Sequence, residues 1–255
     1  RAQWLAGQKQ DRRKKASEAM QLLKEAQVAL ARLVRDVNNS IRARVVLLPA
    51  NSAGDNIIFH AEGGDVVLPL LRQQKDGEEC LSLSDFVRPC GTDYVGAFAV
   101  TAGRGIEEII SGYQQTDDFK ALLYQSLSDR LAEAATELLH VRVRREVWGY
   151  APDERIDRQR ALRAQYRGIR PAAGYPSLPD QSAIFAIEKI VGFANVGIAV
   201  TPNGAMSPAS SVSGLMIAHP ASRYFMIGAI APDQRRDYAA RRGITEEELS
   251  KWLPK

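Results

Sequence analysis

Helical and strand-like apolar patterns occupy separate stretches of this chain, and that segregation limits the folds open to it more than any other feature. From Ala16 to Asn38, Met20, Leu23, Ala26, Leu30, Leu33, Val34 and Val37 recur along one stripe, which predicts a long amphipathic helix. The charge run Asp11 to Lys15 ahead of it reads as a solvated helix start. From Ala43 the period changes: RARVVLLPA, DNIIFH and DVVLPLL, separated by Pro, Gly, Asn and Asp, predict strands joined by turns. Leu83 to Val87 leads into the apolar run Tyr94 to Val100, short enough for a buried strand. Between Asp117 and Trp148 lies the longest helical pattern, with Thr116 or Asp117 available to cap it. A second helical region, carrying Arg155, Arg158, Arg160, Arg163 and Arg167, follows. The last third has strand-like pieces at Ile198 to Thr201, Val212 to His219 and Tyr224 to Ile230, then a short helix near Thr245 to Trp252. Strands in runs with helices set apart from them predict an α+β fold with a largely antiparallel sheet.

Composition narrows the function classes. At 255 residues, 45% hydrophobic and 25% charged, the chain has material for one large core or two small ones. Its net charge of +4 comes from 34 basic residues interleaved with 30 acidic ones. That balance gives no ground for nucleic-acid binding and permits an acidic protein partner. Cys80 and Cys90 are too few for a disulfide framework or a Cys-rich zinc site, and point to reduced thiols in a cytoplasmic protein. No apolar run approaches the roughly 18 residues of a membrane span, and no signal peptide is recognisable, so no membrane role is expected. The chain starts at Arg1 rather than Met, as a piece of a longer protein would.

One segment stands out chemically. Tyr166 to Asp180 reads YRGIRPAAGYPSLPD, and Pro171, Gly174, Pro176 and Pro179 rule out a helix or an ordinary central strand. A residue before proline is pushed into extended conformations, so Arg170 and Tyr175 are both held extended. Arg170 offers a planar fork of donors for a carboxylate or phosphate, and Tyr175 a ring face and a hydroxyl. Read from these properties alone, the strip is either a ligand-wrapping segment or a proline-stiffened surface connection. Glu133 and Glu137, one helical turn apart, share a side of their helix and read alone as two solvent-facing acids. Other chemistry is missing from the sequence. Gly103-Arg104-Gly105 fails the dinucleotide pattern, no phosphate loop or nucleophile elbow occurs, and His60, His140 and His219 lack metal-ligand spacing.

A more specific signal comes from ordered segments. They are RARVVLLPANSAGD at Arg42 to Asp55, LRQQ at Leu71 to Gln74, SDFV at Ser84 to Val87 and YVGAFAVTAG at Tyr94 to Gly103. SDRLAEAATELLHVRVRREVWGYAPDE at Ser128 to Glu154, YRGIRPAAGYP at Tyr166 to Pro176, SVSGLMIAHPASRYF at Ser211 to Phe225 and DYAARRGI at Asp237 to Ile244 complete the series. Together they resemble the C-terminal activation domain of cobalamin-dependent methionine synthase, from about Ala16 to Leu253.

That resemblance implies one C-shaped α+β domain over residues 1–255, with a leading helical segment at 1–40 and a body at 41–255 built on a bent antiparallel sheet flanked by helices. It implies S-adenosyl-L-methionine as ligand, delivered to cobalamin so that inactive cob(II)alamin is reductively methylated. Arg170 is then expected to grip the methionine carboxylate, and Asp85 and Glu133 to sit near the ammonium and other polar atoms. Tyr224 and Phe225 match an aromatic pair beside the ligand, and Tyr175 lies where a tyrosine approaches the cobalt face. No D-x-H-x-x-G cobalamin motif is present, so a fused or separate cobalamin-binding module is an expected partner. Flavodoxin or a flavoprotein reductase is expected as electron donor. A scaffold of the same fold, docking a flavoprotein or cobalamin protein without using the nucleotide, is the second reading.

Overall fold

The computed structural model describes residues 2–36, 41–75, 77 and 79–253, with side chains of 2–13 and of 158 left aside. The chain begins with helix α1 (Ala2–Asp36), then strands β1 (Arg42–Ser52), β2 (Asn56–Ala61), β3 (Gly64–Pro69) and β4 (Tyr94–Thr101). Helices α2 (Arg104–Gln114), α3 (Asp118–Arg142), α4 (Arg158–Leu162) and α5 (Ala183–Val191) follow. Short strands β5 (Ala199–Val200) and β6 (Met206–Ser207), strand β7 (Ser211–Met216) and helices α6 (Pro232–Arg242) and α7 (Glu246–Leu249) complete it. β1 to β4 and β7 form one sheet in the order β3-β2-β1-β4-β7, every pair antiparallel, so the expected α+β class is found.

Burial on both faces explains why β4 reads as a nearly unbroken apolar run. Val95, Ala97 and Ala99 join Leu215 and Ile217 in a core closed by Ile184, Ile187 and Val191 of α5. On the other face Phe98, Val100 and Met216 pack on Val143, just past the end of α3. A strand covered on both sides gains by hydrophobic residues at every position, so the two-residue alternation of a half-exposed strand is lost.

α3 starts where the sequence expects, with Asp117 accepting a hydrogen bond from the Lys120 N–H. It passes at Val143–Val147 into a turn of π-helix, where the Trp148 N–H reaches back to the Val143 carbonyl at 2.9 Å. That turn carries Val143 and Arg144 wholly inside, both 0% exposed.

Three elements depart from the sequence reading. The stripe of α1 is mostly in solvent: Met20, Leu23 and Val34 are exposed, and among its described side chains Ala29 and Leu33 are the ones buried in the cluster with α2 and α3. Val37 and Asn38 lie outside the described residues. The arginine-rich helix is a single turn and a half, α4, capped by Asp157 and stopped where Ala164 takes a positive φ of 50°. Tyr224 to Ile230 forms neither strand nor helix and joins no sheet. Its polar groups are used locally: Phe225 N–H donates to Ser177 Oγ, Ile227 N–H to the Pro176 carbonyl, and the Met226 carbonyl accepts from Gln73. No described helix is long and apolar enough to cross a membrane.

Candidate functional site

The proline-glycine strip lies along the free edge of β7. Ile169 and Ile217 exchange backbone hydrogen bonds at 2.9 Å, Leu215 N–H donates to the Pro171 carbonyl at 2.9 Å, and Ala173 N–H to the Ser213 carbonyl at 3.1 Å. Pro171 has no N–H to offer and therefore suits an edge position that no further strand extends. The close approach of Ala172 to Gly214 requires glycine, because a Cβ there would stand 2.7 Å from the Ala172 Cα. Arg170 thus sits on backbone held from behind by a sheet and stiffened in front by proline.

Arg170 then meets α3. Its Nη2 donates to Glu137 Oε2 at 2.6 Å, with the two side chains 24% and 28% exposed. Its backbone N–H donates to the Tyr224 hydroxyl at 2.9 Å. Burial works against the charge on Arg170, but the hydrogen bond and attraction from Glu137 outweigh it and raise the pKa further.

From Tyr224 the chain of contacts runs on to Phe225, whose ring lies 6.4 Å from Phe86, and Phe86 follows Asp85. Asp85 is itself held: Arg72 donates to both its oxygens, at 2.7 and 2.6 Å, and the Ser82 N–H adds a bond at 2.8 Å. Burial pushes this carboxyl up, yet the bonds from Arg72 and Ser82 prevail and keep it below the usual carboxylate range. Arg72 also binds Asp55 at 2.6 Å, so one cation serves two acids.

The structure therefore brings Arg170 to Tyr224 by a direct hydrogen bond, and places the ring of Phe225, next to Tyr224 in the chain, by Phe86, next to Asp85. Glu133 lies one turn before Glu137 on α3 and pairs with Arg130 at 2.6 Å on an exposed face. Tyr175 is 57% exposed at the tight turn where its carbonyl accepts from Leu178. A separate open cleft of about 570 Å³, lined in part by Arg155, Arg160, Tyr166 and Arg167, includes none of the six expected residues.

Sequence reasoning did not single out Glu137 as the partner of Arg170, nor the polar layer behind it. Arg144 donates from Nε to Glu154 at 2.6 Å and stacks 4.2 Å over the Tyr166 ring. His140 meets the same ring edge-on at 5.2 Å. Among the described residues, Glu137 Oε1, His140 Nδ1, both Nη atoms of Arg144, Arg170 Nε and Ser213 Oγ are buried without a hydrogen-bond partner. All belong to α3 and its π turn, to the strip, or to β7. Helical spacing did place Glu137, His140 and Arg144 near one side, but nothing in their spacing marks that side as the buried one.

His140 carries a pH consequence. Burial, with the positive Arg144 and Arg170 adding to it, pushes its pKa down to about 2, so the folded protein holds it neutral. An unfolded chain takes up that proton below about pH 6.5, and the native state does not until about pH 2, so stability falls as pH drops through this window. Between pH 6.5 and 5 the wild type is expected to lose about 1.5 kcal/mol more than His140→Asn, measured by urea unfolding. Parallel profiles for the two proteins would contradict this.

Two comparisons bear on identity. The family described as "Vitamin B12 dependent methionine synthase, activation domain" matches residues 4–243. Among solved structures, the chain is similar to the MetH reactivation domain crystallised with AdoHcy, at a TM-score of 0.84 and 38% sequence identity. That similarity covers 92% of this chain and 76% of the other. A family match across nearly the whole length, with the same fold in a solved structure, shows that the chain belongs to the activation-domain family of vitamin B12-dependent methionine synthase.

Proposed function

We propose that this chain binds S-adenosylmethionine and presents its methyl group for reductive methylation of cob(II)alamin held by another module of methionine synthase. The observation that carries the reading is Arg170. Its strip is fixed to β7, and Glu137 engages Nη2 alone, leaving Nε without a partner and Nη1 unbonded among the described residues. A guanidinium so placed suits a ligand carboxylate. The similar MetH reactivation domain, with AdoHcy bound, supports the ligand class.

Within this reading the chain's residues bind and orient. Arg170 takes the amino-acid end, and Tyr224 and Phe225 supply ring surface beside it. Glu133 and Asp85 contribute negative charge near the ammonium and other polar atoms of the ligand. Tyr175, exposed at its turn, faces the incoming module. Cobalamin held by that module would supply the metal centre that takes up one electron and the methyl group, with S-adenosylhomocysteine as the leaving group on this chain. Transfer from a sulfonium asks the protein for alignment rather than for an acid or base, and a rigid strip provides it. The electron comes from flavodoxin or a flavoprotein reductase in the cytoplasm, and the net charge of +4 favours an acidic donor.

Isothermal titration of the 255-residue chain with S-adenosylmethionine is expected to show micromolar or weaker binding. Arg170→Ala should weaken it about 30-fold or more, the scale of a charge-assisted hydrogen bond to a carboxylate. No heat with the wild type, or equal affinity in the variant, would count against the assignment.

A further inference from the structure

We propose that Glu137 is a positioning residue for the S-adenosylmethionine carboxylate: it holds one edge of the Arg170 fork so that the other edge receives the ligand. This rests on the ligand assignment above and adds to it a residue on α3.

A guanidinium has two edges able to bind a carboxylate through two parallel bonds, one formed by Nε and Nη2 and the other by Nη1 and Nη2. Glu137 Oε2 is on Nη2 at 2.6 Å. Glu137 Oε1 and Arg170 Nε, the two atoms that a second parallel bond would join, are both buried and both lack a partner. The pair is one bond short of a two-point clamp on the Nε edge, which a bond from Arg170 Nε to Glu137 Oε1 would complete. Closure removes two unsatisfied buried groups, each costly where it stands. The fork is then locked in rotation with Nη1 turned away from Glu137, leaving the Nη1–Nη2 edge for a second carboxylate. The backbone of Arg170 is fixed independently by the Tyr224 hydroxyl and by Pro171, so the side chain is the remaining freedom and Glu137 is what restrains it.

The alternative, in which Glu137 competes with the ligand for Arg170, predicts the opposite sign. Binding of S-adenosylmethionine and of its decarboxylated form, which keeps the adenosine and sulfonium but lacks the carboxylate, is measured by titration calorimetry on wild type, Glu137→Gln and Glu137→Asp. In Glu137→Gln the affinity for S-adenosylmethionine should fall about tenfold while that for the decarboxylated form changes less than twofold, so the preference between them shrinks. Glu137→Asp, which keeps the charge but retracts it by one methylene, should show the same ligand-selective loss to a smaller degree, and it decides the matter if the Gln variant does not fold. An equal loss for both ligands would reduce Glu137 to a structural residue, and tighter binding of S-adenosylmethionine would make it a competitor; either overturns the proposal. A wild type that binds neither ligand would instead remove the ligand assignment on which it rests.

Discussion

Gly214→Ala is expected to cost about 3 kcal/mol of stability and to weaken S-adenosylmethionine binding at least tenfold, although Gly214 touches no ligand in this reading. The new methyl group would meet the Ala172 Cα at 2.7 Å and the Pro171 carbonyl oxygen closer still. These are backbone atoms on both sides, so no rotamer change relieves the clash, and the strip must lift from β7. The bonds that lift breaks are those from Leu215 N–H to the Pro171 carbonyl and from Ala173 N–H to the Ser213 carbonyl, which directly follow Arg170 along the strip. Gly63→Ala is the control, because nothing lies within 4 Å of its added Cβ. Urea unfolding and ligand titration on both variants check the expectation. If Gly214→Ala behaves like the control, the strip is not held as described.

Glu154→Ala should destabilise the fold by about 3 to 5 kcal/mol, the usual result of leaving a buried charge without its counter-ion. Arg144 is 0% exposed, Glu154 is its sole ion-pair partner among the described residues, and both Nη atoms already lack hydrogen bonds. The aromatic face of Tyr166 at 4.2 Å is what would remain to the cation. For a chain of this size the loss corresponds to a fall of roughly 10 °C in Tm, readable by calorimetry. Glu154→Gln, which retains an acceptor for Nε, should recover part of it. A change under about 1 kcal/mol in Glu154→Ala would show that Arg144 is stabilised by its stacking alone.

The two variants test different layers of one construction. Gly214 and Pro171 fix where the backbone of Arg170 runs, whereas Glu154, Arg144 and Tyr166 support the wall behind it. Glu137 stands between them, on the same helix as His140 and bonded to the strip. Under the proposed function, ligand grip and fold stability are coupled here through few residues, and substitutions in this region should rarely change one without the other.

Much of this was legible in the sequence. Periodicity located α3 and its Asp117 cap, the change of period at Ala43 marked the start of the sheet, and the α+β class followed from their separation. Proline chemistry predicts an extended Arg170, because the Pro171 ring acts on its immediate neighbour. Ordered motifs carried the family. What local rules could not supply was pairing between distant residues. That Tyr224 to Ile230 joins no sheet depends on Ser177 and Pro176 taking its hydrogen bonds, and that the α1 stripe stays in solvent depends on where α2 and α3 pack. The family motif gives Asp85 a place near the ligand's ammonium, and only folding shows Arg72 donating to both its oxygens. Glu137 read as a surface acid until the edge of β7 carried Arg170 to within 2.6 Å of it. The sequence by itself determined which residues are extended, helical or apolar, since those preferences act over a few bonds. The tertiary structure alone decided which charges meet, since a salt bridge across 33 residues depends on the path of the whole chain.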